Sequence, residues 1–140
     1  MPGITDVDAI EPWEYSLYIP HDARAVPITR RTLRLILTAH GLPGLLDVAE
    51  LLATELITNA VRHTKGPAAL RIHWADGILR IGAWDTDPTP PAPVLRLTEV
   101  PETGRGLDLV HHCADKWGWY PLLSAGDLGK YVWCELAAAA

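Results

Sequence analysis

The chain has 140 residues, 49% of them hydrophobic and 21% charged, with a net charge of −5. That length fits one domain, able to bury roughly 70% of the surface its unfolded chain exposes. The acidic balance and the lack of a Lys/Arg run argue against direct nucleic-acid binding, which needs cations to replace phosphate counterions. No apolar run approaches the ~20 residues that cross a membrane. The start, Met1 to Ile10, lacks the basic-then-apolar pattern of a signal peptide. A cytoplasmic protein is therefore expected, with Cys113 and Cys134 as buried thiols in a reducing compartment.

Residues 1–12 read as a flexible arm and 13–137 as the domain. Tyr15, Leu17 and Ile19 alternate, which predicts a strand over Glu14–Ile19. From Ala23 to His40 the spacing turns helical, with Leu33, Ile36 and Leu37 on one side, arginines on the other, and Gly41 as the stop. Pro43-Gly44 marks a turn. A second helix runs from about Leu45 to His63, with Ala49, Leu52, Leu56 and Ala60 in one stripe, and Lys65-Gly66-Pro67 ends it.

Alternation then predicts strands over Ala69–Ala75 and Ile78–Asp85, joined by Asp76-Gly77, a two-residue hairpin turn. Residues 88–101 hold five of the twelve prolines and read as a long loop. A third helix is expected over Gly106–Asp115, then strands over Trp117–Leu122 and Lys130–Leu136. The sum is an α/β (α+β) two-layer sandwich: a mainly antiparallel mixed sheet covered on one face by three helices.

Three constellations could carry chemistry. Glu55 and Asn59 are four apart, so they stack on one side of the second helix, beside its apolar stripe. A carboxylate there can act as a general base and an Asn carbonyl can ligate a hard cation. Asp85 ends a strand among small apolar neighbours and can accept a hydrogen bond from an exocyclic amine. Thr103-Gly104-Arg105-Gly106-Leu107 opens the third helix, where backbone N–H groups and an Arg fork suit an anion. Each pattern alone is ordinary: a solvated helix pair, a turn aspartate, a glycine loop. His111-His112-Cys113 reads as a surface or core cluster, because adjacent helix positions do not converge on one ion. The six tryptophans read as core and partner surface rather than a base-stacking platform.

Taken together, the three resemble in order and spacing the nucleotide boxes of the Bergerat (GHKL) ATP-binding superfamily, and most closely its small anti-sigma-factor serine kinases. Ala60-Val61-Arg62-His63, Ala-Asp-Lys-Trp-Gly at 114–118 and Gly-Lys-x-Val-Trp-x-Glu-Leu at 129–136 extend the resemblance over residues 13–137. It implies an ATP-binding regulator with Mg2+ as second cofactor. Glu55 would be the general base and Asn59 the magnesium ligand. Asp85 would bind the adenine amine, His63 would lie near the lid, and Gly104, Arg105, Gly106 and Leu107 would meet the triphosphate. Residues 88–103 would be the lid. Asp87 and Thr89 stand where the first glycine box has glycines, and Tyr131 where a small hydroxyl residue is usual. The implied partners are a sigma factor and an anti-anti-sigma (STAS-type) protein, the second being phosphorylated; members of the family often form a homodimer, and no clear dimer stripe is readable in this sequence. A nucleotide-dependent binding module without phosphotransfer is the alternative. A detached histidine-kinase catalytic domain is disfavoured, since no phospho-accepting helices precede residue 13.

Overall fold

The computed structural model describes residues 11–63, 66–88, 114–124 and 127–138. Five strands form one sheet: β1 (Trp13–Ile19), β2 (Ala68–Ala75), β3 (Ile78–Asp85), β4 (Lys116–Ser124) and β5 (Asp127–Ala137). Their order is β1-β2-β3-β5-β4, and every neighbouring pair is antiparallel. Two helices, α1 (Ala25–Ala39) and α2 (Leu46–His63), cover one face, with a 3-10 turn at Pro43–Leu45 between them.

This corrects the expected architecture. The sheet is antiparallel throughout rather than mixed, and two helices lie on it, not three, among the described residues. Most of the segment read as a third helix, Gly106–Asp115, lies outside them. Its last two residues, Ala114 and Asp115, form a bend into β4. The physical reason is visible there: the Asp115 carboxylate accepts the Ala137 N–H at 2.7 Å, and the Asp115 N–H donates to the Glu135 carbonyl at 2.9 Å. Asp115 thus extends the β4–β5 ladder rather than closing a helix.

The core follows the period-2 and period-3.6 patterns. Leu70, Ile72 and Trp74 of β2, Leu79, Ile81 and Ala83 of β3, and Val132, Cys134 and Leu136 of β5 face the helices and are buried. Against them α2 packs Ala49, Leu52, Ala53, Leu56, Ile57 and Ala60, and α1 packs Leu33, Ile36 and Leu37. At ~25 cal/mol per Å2, each buried leucine or isoleucine contributes about 1.5–3 kcal/mol.

α2 lies over β3 and touches β2 and β5 as well. α1 runs back along β1. His40 just past its end accepts or donates a 2.7 Å hydrogen bond with the Tyr15 hydroxyl and stacks on Trp13 with centroids 4.3 Å apart. The two helices are joined at the surface by Arg34 and Glu50, 2.9 Å apart. No helix among the described residues is long and apolar enough to cross a membrane.

Candidate functional site at the Asp85 end of the sheet

The pleat that buries Leu79, Ile81 and Ala83 brings Asp85 to the same helix-side face. There it is 3% exposed. β5 continues its own alternation from Leu136 through Cys134 and Val132 to Lys130, which is 6% exposed and directly opposite Asp85 in the register. The Lys130 ammonium stands 3.1 Å from each carboxylate oxygen of Asp85. It also donates to the Asp87 carbonyl at 3.0 Å, and the Asp87 N–H donates to Asp85 Oδ1 at 2.9 Å. An ion pair this deep needs such extra hydrogen bonds to offset desolvation. Burial is still the stronger influence: it pushes the Asp85 carboxyl above its ordinary value against the opposing pull of the Asp87 N–H and Lys130.

Close backbone approach fixes the pair. A side chain at Gly129, next to Lys130, would collide with the carbonyl oxygen of Asp85. At the same end, a Cβ on Gly66 would come within 2.6 Å of Thr86 Oγ1, so the chain leaving α2 is tucked against the residue after Asp85.

Glu55 and Asn59 are half-buried on α2. Their direction follows from Glu50, which marks the flank facing α1. At ~100° per residue, Asn59 lies about half a turn away from Glu50 and Glu55 about 140° away. Both therefore face away from α1, towards the β5 side. α2 ends at His63 and β2 begins at Ala68, one residue before the Ala69–Trp84 pair. This puts the Asn59 end of α2 and Asp85 at the same end of the domain, on the same side of the sheet. Glu55 is one turn further back. Among the described residues, no hydrogen bond joins Glu55 or Asn59 to Asp85, and no three His, Cys, Asp or Glu form a cation cluster. The His63 side chain, Gly104, Arg105, Gly106, Leu107, the lid at 88–103 except Pro88, and His111-His112-Cys113 lie outside the described residues.

Lys130 is the site residue that the three constellations omit. Its signal was present: in Lys130, Val132, Cys134, Leu136 a cation occupies the first place of an alternation whose other members are buried. A charge on an apolar face must have a partner.

The donors among the described residues do not saturate the Asp85 carboxylate. An ionised carboxylate has about four lone-pair sites. Among the described residues, Oδ1 serves both the Asp87 N–H and Lys130, and Oδ2 serves Lys130. One acceptor position on Oδ2 is left among the described residues. Comparison with models of known protein families and with curated proteins found no match to either.

The opposite face of the sheet is open among the described residues and aromatic. The Tyr131 ring lies over Gly82, and burial pushes its hydroxyl up to about 12. Tyr120 stands 5.4 Å from it, centroid to centroid. Arg80 lies 4.2 Å over the Trp133 ring and pairs with Glu135 at 2.7 Å. Of the tryptophans, Trp74 is buried, and Trp13, Trp117 and Trp119 pack against the core.

Proposed function

We propose that the chain is a cytoplasmic ATP-binding regulatory protein that acts as anti-sigma-factor serine kinases do, holding a sigma factor and phosphorylating an anti-anti-sigma partner. The observation that carries the reading is the buried Asp85, held by Lys130 and the Asp87 N–H with one acceptor position left among the described residues, at the same end of the helix layer as Asn59. The reading rests on these residues and on the sequence resemblance, not on the architecture, which differs from the three-helix sandwich.

Bound ATP would supply the phosphoryl group and Mg2+ the charge that neutralises it. Asp85 would orient the adenine amine through Oδ2, with Lys130 and the Asp87 N–H locking the carboxylate's rotamer. Asn59 would offer its side-chain oxygen to the cation. Glu55, one turn away on the same flank, would take the proton of a serine or threonine hydroxyl, a role worth ~10²–10⁴-fold in rate.

Titration calorimetry with Mg-ATP tests the binding step. Asp85→Asn is expected to weaken affinity by roughly 10- to 150-fold, the worth of a hydrogen bond to a charged group. Equal affinities would remove Asp85 from the site. Labelled ATP with candidate anti-anti-sigma proteins tests transfer: Glu55→Ala should spare ATP affinity and slow transfer, whereas Asn59→Ala should impair both. Nucleotide-dependent partner affinity without any transfer would instead identify a binding module.

A further inference from the structure

On the face of the sheet away from the helices, the register sets Tyr18, Ala69, Trp84, Tyr131 and Tyr120 in one row across the five strands. Residues directly opposite one another in an antiparallel ladder point to the same face. Every member of the row is aromatic except Ala69, so the row has one gap, on β2. Neighbouring strands lie about 4.8 Å apart, which puts Tyr18 and Trp84 about 9.6 Å apart at the backbone on either side of it. A ring held between two others needs about 7–8 Å, two contact distances of about 3.5–4 Å. The gap therefore has the width of one planar ring, with the remainder taken up by rotation of Tyr18. Tyr18 stands on the outermost strand and is 85% exposed, so nothing among the described residues packs it down.

The row borders a cavity of about 430 Å3, a volume usual for small-molecule sites. Ala69 forms its floor, Tyr18 and Trp84 face each other across it, and Tyr120, Tyr131 and Leu122 close one side. Arg71, two residues along β2 from Ala69 and so on the same face, stands at the end. It is the one charged side chain in the lining, and no acid lines the cavity, among the described residues. Glu14, outside the lining, accepts from Arg71 Nη2 at 2.7 Å. A guanidinium has five N–H donors in a planar fork, so this single contact leaves others for the cavity. Both members of the pair are well exposed to water, and an exposed pair yields or shares its arginine at little cost. The Tyr131 ring lies over Gly82, the register partner of Arg71, which carries its hydroxyl towards the same end. Burial keeps that hydroxyl protonated and able to donate.

We propose that this cavity binds a small aromatic carboxylate, its ring between Tyr18 and Trp84 over Ala69 and its carboxylate on Arg71 and the Tyr131 hydroxyl. The two halves of the ligand answer two separate features. The gap in the aromatic row calls for a flat ring that offers a face to each side. The end wall calls for an anion, because a guanidinium fork matches a carboxylate edge to edge and a cation there would be repelled. The cavity lies on the face of the sheet opposite to Asp85, so the inference stands apart from the nucleotide reading and is tested without nucleotide.

The probes are indole-3-carboxylate and its neutral counterpart indole-3-carboxamide, each titrated with the full chain and followed by proton NMR of the ligand. Saturable binding of the acid is expected, with its ring protons moved upfield as protons held over aromatic faces are. The amide should bind about tenfold more weakly, since it forgoes a charge-assisted pairing. Arg71→Gln should bring the acid down to the level of the amide. Glu14→Gln removes the competing carboxylate and should tighten the acid severalfold while leaving the amide unchanged. Ala69→Leu fills the gap and should abolish binding of both. Tyr18→Ser, at a position too exposed to matter for folding, should weaken both while the melting temperature stays that of the unaltered chain. Absence of saturable binding up to the solubility of the acid would overturn the proposal. So would equal affinity for acid and amide, or an affinity indifferent to Tyr18→Ser, which would place the ligand elsewhere on the molecule.

Discussion

Asp85 and Lys130 form an ion pair whose members are both nearly sealed from water. Breaking a pair of this kind from one side leaves an uncompensated buried charge, at a cost of about 3–5 kcal/mol. Lys130→Met should therefore lower unfolding stability by about that much in urea titrations, and the double change Lys130→Met with Asp85→Asn should recover most of it. An equal loss in the double variant would show that packing by the lysine stem, not charge, dominates. The same residue sets a pH dependence. Burial holds the Asp85 carboxyl above 3.8. A group with a raised folded pKa stabilises fully below its unfolded value and loses that contribution as pH rises through the folded one. Stability should thus decline as pH rises out of the ordinary carboxyl range, and Asp85→Asn should flatten that decline. Asp22, held down to about 2 chiefly by its side-chain hydrogen bonds with Arg24, titrates below this window and leaves the comparison clean. Cys134 is fully buried and its thiol is pushed up to about 12 by desolvation. Native protein treated with iodoacetamide near pH 8 should show the Cys134 peptide unmodified by mass spectrometry, since the thiolate is the nucleophile. At this scale the sequence spoke unevenly. Asp85 could be singled out because it stands at a strand end before a proline loop. Its partner lies 45 residues away and is delivered only by the β3–β5 register.

Hairpin β2–β3 is the element most fully written in its own residues. Asp76 and Gly77 have φ of 53° and 76°, the left-handed pair that a two-residue turn needs, and Asp-Gly is the dipeptide that tolerates it. Gly77→Ala should destabilise by about 1 kcal/mol or more, since alanine resists positive φ, and chemical denaturation would show it. The helices were legible for a similar reason: their apolar stripes and the stop at Gly41 are local. β4 and β5 were placed to within a few residues by alternation. Their long-range setting was not readable, because nothing in β5 itself says that it lies between β3 and β4 rather than at an edge. Gly129 belongs to that hidden layer. In the sequence it is only the first residue of the pattern at 129–136, yet a methyl there would meet the Asp85 carbonyl oxygen. Gly129→Ala should cost about 1–3 kcal/mol, as overpacking against an immobile neighbour does.

For the molecule as a whole, the expected architecture parts from the described residues at the C-terminal end of the third helix expected over 106–115, where Ala114 and Asp115 bend into β4. Leu107, Val110 and Ala114 fit a helical spacing, but Asp115 is committed by hydrogen bonds to β5. Nucleotide binding, if the proposal holds, also belongs to this scale. Mg-ATP at 100 times its Kd should add about 2.7 kcal/mol to stability. That should raise the melting temperature by several degrees, since 1 kcal/mol shifts a domain of this size by about 2–8 °C. A melting curve indifferent to Mg-ATP at every concentration would count against the site. The strand order has a consequence for how the chain is made. β5 follows the other four strands in the chain and so leaves the ribosome after them, and it forms the seam between β3 and β4. Until it arrives, β3 presents an unpaired edge and Leu79, Ile81 and Ala83 lack their neighbours Leu136, Cys134 and Val132. The growing polypeptide therefore carries an adhesive strand through much of its synthesis. A stalled or prematurely terminated product would be a substrate for chaperones and proteases rather than a smaller working domain.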